Sequence, residues 1–407
     1  MLPTCIKHSI MSLIQDRDEE DGANSSSIAS SSRSSSPLSK FPSLETSSES
    51  LTSAARQDCF EQSPGELRPA IATMSLGKAG THSLMSKLEA AAAKGFEGVE
   101  MFWDDLVAYS LDLHHPPDIT THCLENETAI YYGSIRIQEA CKRLDLTVLS
   151  LQPFRNFDGL LDIQARNLRL REFEFWVVVA HNLGASVIGV PSTITPGPTH
   201  TGDQRTIAND LLSLCHLARP FDIDIAYENL CFGAHIRSWS QAWDIITLAG
   251  RPKNLAFLPD TFNLCGDAFA DPSNPTGKKP FGDLEMGISM KKFTNAIPLR
   301  CLRYIQVADA EMMDRPLTSS HPWMAGNNSD PKMIWSRNAR LFPGEKGGYL
   351  PVFNVIEDLI DMGWTGWVSL EIFSRTTSTP GESTIEEHAT RAWASWEKIM
   401  AELEWRV

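Results

Sequence analysis

Four absences narrow this chain before any motif is considered. It carries a formal net charge of −15 and no run of lysine and arginine, which argues against nucleic acid or anionic membrane as the main partner, since both need clustered positive charge. No apolar stretch approaches the roughly 18 residues that would suggest a membrane span. None of the eight cysteines (Cys5, Cys59, Cys123, Cys141, Cys215, Cys231, Cys265, Cys301) stands in a Cys-x-x-Cys pair. That argues against a zinc cluster or disulfide framework and for reduced, mostly buried thiols in a cytoplasmic protein. No Gly-x-Gly-x-x-Gly or Gly-x-x-x-x-Gly-Lys-Ser/Thr follows an apolar run, so a nucleotide-binding sheet lacks its signature. Met1 to Ile14 is mildly apolar, but it leads into Asp16-Arg17-Asp18-Glu19-Glu20-Asp21, and transit peptides avoid such acidic stretches.

What is present falls into two textures. Residues 1–68 form an extension dominated by serine from Asn24 to Ser53, with too little apolar surface to offset chain entropy, and are expected to be disordered. Residues 69–407 alternate short apolar runs with amphipathic helical stretches, the pattern of a parallel α/β domain. Strands are predicted at Ile71–Leu76, Gly98–Phe102, Thr147–Gln152, Ser186–Val190, Asp224–Glu228, Leu255–Asp260, Tyr304–Ala308 and Trp367–Ile372. Helices are predicted at Ser83–Lys94, Ile130–Leu144, Arg166–Leu183, Thr206–Arg219 and Leu350–Met362. Eight such units close into a TIM (β/α)8 barrel, with an open doubly wound sheet as the alternative. Two long segments, Asn263 to about Gly287 and Glu311 to about Gly348, read as irregular lid loops on the strand-end rim.

Four acidic or amide side chains stand where successive strands end: Glu228, Asp260, Gln306 and Glu371. In a parallel barrel those ends share one rim, so the four groups converge. Three carboxylates packed together repel unless a cation neutralises them, and an all-oxygen set favours a hard divalent ion, Mg²⁺ or Mn²⁺. Any one alone would more often be a helix cap or ion-pair partner; recurrence at four strand ends points to a metal site. Glu100, at the end of strand two, and Asp309, beside Gln306, stand where they can orient such ligands.

Several stretches then carry a resemblance. Ile71-Ala72-Thr73-Met74-Ser75-Leu76-Gly77, Gly95-Phe96-Glu97-Gly98-Val99-Glu100, Leu151-Gln152-Pro153-Phe154-Arg155, Ala226-Tyr227-Glu228-Asn229-Leu230, Asp260-Thr261-Phe262-Asn263, Gln306-Val307-Ala308-Asp309-Ala310, Trp335-Ser336-Arg337-Asn338-Ala339-Arg340-Leu341-Phe342 and Gly366-Trp367-Val368-Ser369-Leu370-Glu371 resemble the xylose-isomerase-like sugar phosphate isomerase/epimerase superfamily. Within it they are similar to the fungal 3-dehydroshikimate dehydratases of quinate catabolism. The resemblance covers about 71 to 402 and implies a metal-dependent hydro-lyase with ligands Glu228, Asp260, Gln306 and Glu371, the same four reached from spacing. At one position the chain departs from its bacterial relatives, which place a histidine, a candidate general base, three residues after the aspartate. Here that residue is Asn263, so the base must come from elsewhere: His235, His82 and His321 are the candidates.

The implied substrate, 3-dehydroshikimate, is a small carboxylated β-hydroxy ketone. Arg155 and Arg337 are the candidates for its carboxylate, because guanidinium pairs bidentately with that group. The competing readings are a ketose epimerase or inosose dehydratase acting on a neutral polyol, a weaker endonuclease-IV-like reading, and a barrel that only senses a metabolite. Trp393, Trp396 and Trp405 near the end of the chain suggest core packing or a subunit contact.

Overall fold

A parallel strand buried on both faces has no wet side, so it reads as a near-continuous apolar run; Thr147-Val148-Leu149-Ser150-Leu151-Gln152 is one, with every residue after Thr147 buried. In the computed structural model, residues 66–111, 124–195, 197–326 and 328–404 are described. The predicted extension, apart from its last three residues, lies outside them, as do Trp405 and three of the cysteines. The other five cysteines are free and buried.

The strands are β1 (Leu67–Ala72), β2 (Gly98–Phe102), β3 (Thr147–Gln152), β4 (Val187–Pro191), β5 (Asp224–Glu228), β6 (Leu255–Phe257), β7 (Ile305–Val307), the two-residue antiparallel pair β8 (Asp309–Ala310) and β9 (Arg340–Leu341), and β10 (Gly366–Leu370). Eight form one parallel sheet in the order β6-β5-β4-β3-β2-β1-β10-β7. The sheet closes on itself through one parallel bridge, Asp260 with Gln306, where the Gln306 amide donates to Pro259 O at 2.9 Å. A barrel with β10 as its eighth strand results.

The helices are α1 (Leu84–Lys94), α2 (Trp103–Ser110), α3 (Leu124–Arg143), α4 (Ile163–Leu183), α5 (Gln204–Ala218), α6 (Trp239–Leu248), α7 (Thr261–Ala268), α8 (Gly282–Ala296), α9 (Pro331–Ala339), α10 (Val352–Asp361) and α11 (Ser383–Glu404). Local chemistry sets their ends. Asp162, Asp203 and Asp260 accept backbone N–H groups at the starts of α4, α5 and α7, while Ser238 and Gln241 form a reciprocal capping box on α6. Gly95 and Gly184 stop α1 and α4 in the left-handed region, where a side chain would be strained. Trp393 of α11 packs edge-on against Phe96 at 5.3 Å, which makes it a packing residue. No described helix is long and apolar enough to cross a membrane.

Two expectations need correction. The first strand begins at Leu67, and Thr73–Leu76 form a 3₁₀ turn. Pro69 lacks a backbone N–H, but its carbonyl accepts from Glu97 N at 3.0 Å, so it pairs within the sheet. The segments read as irregular lids hold regular elements as well as irregular ones: most of α7 and the start of α8 flank an irregular stretch, 269–281, in the first, and α9 with β9 lies in the second. Their start signals were present, Asp260 capping α7 and Asp330 capping α9 with Pro331 at its first position.

Candidate metal centre and active site

The barrel brings the four strand-end side chains into one buried network. Glu228 ends β5, Gln306 lies within β7, Glu371 follows β10 and Asp260 caps α7; they are only 8, 1, 1 and 3 % exposed for Glu228, Asp260, Gln306 and Glu371. Asn263 links two of them, donating from Nδ2 to Glu228 Oε1 and to Asp260 Oδ2, each at 2.7 Å, and its own Oδ1 is held by Cys231 N at 3.0 Å. Arg340 links the next pair, with Nη1 2.9 Å from Asp260 Oδ2 and 3.2 Å from Glu371 Oε2. Gln152 Nε2 donates to Glu371 Oε1 at 2.7 Å and to Glu100 Oε2 at 3.1 Å.

This network is electrostatically lopsided. It holds the buried carboxylates Glu100, Glu228, Asp260 and Glu371 against the single guanidinium of Arg340. Burial, then Asp260 and Glu371, push the Glu228 carboxyl well above its usual range. Burial pushes Glu371 up to about 8, with Arg340 opposing. Glu100 is raised by burial and drawn back by its hydrogen-bond donors. Burial works against the Arg340 charge, but Asp260, Glu371 and Glu228 more than offset it and hold the guanidinium above its ordinary value.

Two observations test whether a divalent cation fits. Gln306 Oε1 is buried with no hydrogen-bond partner, a condition that costs about 1–3 kcal/mol unless something supplies the missing contact. The surplus of carboxylates likewise calls for more positive charge than Arg340 provides. Among the described residues no three His, Cys, Asp or Glu side chains already form a cage around one point; Asn263 and Arg340 instead join the carboxylates pairwise. The donor set is all oxygen, which suits a hard ion.

The three candidate histidines occupy different places, and none has a hydrogen bond to the four strand-end groups. His82 accepts Lys78 N–H at Nδ1 and bonds Thr379 O through Nε2, so neither ring nitrogen is left to take a proton. His321 accepts Trp323 N–H at Nδ1, which commits its lone pair to a helix cap; burial, then Arg315, lower its pKa. His235 bonds His200 O at 3.1 Å through Nε2. A carbonyl can only accept, so Nε2 carries the hydrogen and Nδ1, facing Gly202, keeps its lone pair.

Arg155 lies 3.6 Å from Asp104 and over the Phe102 ring at 5.2 Å, with 45 % of its side chain exposed. Arg337 has its pKa lowered by burial and then by Arg155, so the two guanidiniums stand within electrostatic reach of each other. Arg155 also lines a groove of about 530 Å³ with Trp103, Pro153, Asn156 and Trp176; none of the four strand-end groups lines it. Sequence reasoning missed Arg340, Gln152 and the bridging role of Asn263. Arg340 sits in the same Trp-Ser-Arg-Asn-Ala-Arg stretch that singled out Arg337, three residues further on and just past the end of α9.

A family model described as xylose isomerase-like TIM barrel matches residues 88–395. A Neurospora crassa protein named 3-dehydroshikimate dehydratase is 36 % identical over 343 residues, 82 % of this chain and 94 % of that one. A Pseudomonas aeruginosa protein of the same name is 30 % identical over 76 % of this chain but only 38 % of its own length. Among solved structures, the IolI protein with a bound zinc atom superposes with a TM-score of 0.59 at 14 % identity, covering 82 % of this chain and 98 % of that one.

Proposed function

The chain belongs to the xylose isomerase-like TIM barrel family, and from that premise we propose that it removes water from 3-dehydroshikimate to give protocatechuate. It is a hydro-lyase, and the observation that carries the substrate is its likeness to the Neurospora enzyme along nearly that enzyme's whole length. Glu228, Asp260, Gln306 and Glu371 are the residues that would hold a divalent cation, Mg²⁺ or Mn²⁺. When bound, the ion supplies positive charge to the substrate ketone oxygen, where negative charge develops as the α-proton leaves.

The chain's own groups do the rest. A base takes the proton between ketone and carbinol, the β-hydroxyl departs with a proton as water, and the dienone tautomerises to the catechol. His235 is our choice of base because its Nδ1 alone among the three candidates is free of a hydrogen-bond commitment. A neutral imidazole suits proton transfer near neutral pH. Arg155 and Arg337 take the substrate carboxylate, an anion that relieves the repulsion between them. That pair favours a carboxylated substrate over the neutral polyols of epimerases or inosose dehydratases. Composition and resemblance support a cytoplasmic reaction that belongs to quinate breakdown.

The test is to incubate the full chain with 3-dehydroshikimate and Mg²⁺ or Mn²⁺ and record the ultraviolet absorbance of the catechol. Glu228→Gln should fold but lose both metal binding and turnover, because it deletes one anionic ligand without changing shape. Full activity of the parent after chelation and dialysis would refute the metal role; absence of catechol with either ion would refute the substrate.

A further inference from the structure

We propose that Glu100 is a positioning residue whose carboxylate fixes which end of the Gln306 amide faces the ligand set. Glu100 lies in β2, on the far side of β1 and β10 from Gln306 in sheet order, and is fully buried. It accepts from Gln306 Nε2 at 3.0 and 3.2 Å, Gln152 Nε2 at 3.1 Å, Ser150 Oγ at 3.2 Å and Ser369 Oγ at 2.5 Å. Glu371 Oε1 takes the same Gln306 Nε2 at 3.2 Å.

An amide has one donating and one accepting end, whereas an ionised carboxylate can only accept. Both carboxyl groups accept from Gln306 Nε2, and with Glu100 ionised the flipped amide would press its carbonyl oxygen against a carboxylate. The Nε2 end is therefore bound to them, and Oε1 is left buried and unpartnered. Glu100 thus turns an uncharged side chain with two interchangeable faces into a fixed oxygen donor. The Gln152 amide, held by the same carboxylate, steadies Glu371 in turn.

This inference rests on the metal reading above, and titration calorimetry with Mn²⁺ on the full chain separates the two. Glu100→Gln keeps the shape but offers an amide that can pair with either end of Gln306, so Mn²⁺ affinity should fall about 10- to 100-fold. Gln306→Glu sets a new carboxylate against Glu100 and should weaken Mn²⁺ binding as well. Adding Glu100→Gln to Gln306→Glu should then strengthen binding, because the new amide donates to the new carboxylate. This reversal of sign between backgrounds is what a merely structural role would not produce. If Glu100→Gln alone fails to fold, the comparison of Gln306→Glu with the double variant still reads the sign. Parent-like affinity in Glu100→Gln, or weakening in both backgrounds, overturns the inference while leaving the metal site standing. Absence of Mn²⁺ binding by the parent overturns the metal reading and this inference with it.

Discussion

Arg340→Met removes the only buried guanidinium in the ligand network while keeping most of the side chain's apolar bulk. The residue is 2 % exposed, and its Nη1 serves Asp260 and Glu371 together. Removing one partner of a buried ion pair typically costs about 3–5 kcal/mol, because the remaining charge stays buried and uncompensated. Two carboxylates are orphaned here, and the guanidinium also lies over Phe262 at 4.2 Å and Phe373 at 5.1 Å, which favours the upper half of that range. Protonation opposes it: Glu371 already stands at about 8 in the metal-free chain, and without Arg340 it rises further, so the loss is largest above pH 8 and lies towards about 3 kcal/mol below it. A bound divalent ion would supply the missing charge. Urea unfolding followed by tryptophan fluorescence, with chelator and with Mn²⁺, should therefore show a large loss without metal and a clearly smaller one with it. A metal-free loss below about 1 kcal/mol, or the same loss in both conditions, would refute the reasoning.

Other outcomes follow from the same network. In the metal-free chain Glu371 and Asp158 are raised to about 8 and about 7, so the folded state binds more protons than the unfolded chain above about pH 4. Stability should then fall as pH rises from about 4.5 to 8, with a shallower slope when Mn²⁺ is present; a stability that climbs over this range in chelator contradicts the assignment. His235→Ala should lower kcat by about 10²- to 10⁴-fold with Mn²⁺ still bound, and the pH profile should lose its acidic limb; near-normal kcat would move the base elsewhere. A chain starting near Glu66 should keep activity and melting temperature, since β1 begins at Leu67; a large loss of either would show that the preceding residues contribute to the barrel.

The strand ends were legible because Glu228, Asp260 and Glu371, three of the candidate ligands, are polar residues that follow or close a short apolar run, and β2, β3 and β5 lie where the pattern put them. Arg340 was not legible. Its partners, Asp260 and Glu371, stand just after β6 and β10, and its direction is set by the break from α9 into a two-residue strand, a change that no helical or alternating period marks. Asn263 was read as a missing base because chemistry at that position was judged alone. Its value as a donor appears only when Glu228, 35 positions away, is brought within 2.7 Å. The helices inside the supposed lids were obscured by glycine and proline, although Pro331 sits at a helix start, where its lost N–H removes nothing.

The order of strands around the barrel also has a consequence for how the chain is made. β1 is flanked by β2, a few dozen residues downstream, and by β10, in register with Leu67 opposite Gly366. The hoop cannot be joined until that last strand has left the ribosome, roughly 300 residues later, or about 15–60 s at typical synthesis rates. Throughout that interval one edge of β1 offers unpaired backbone groups to any other nascent strand. The six-residue length of β1 limits how far such a mispairing can run before the proper neighbour arrives.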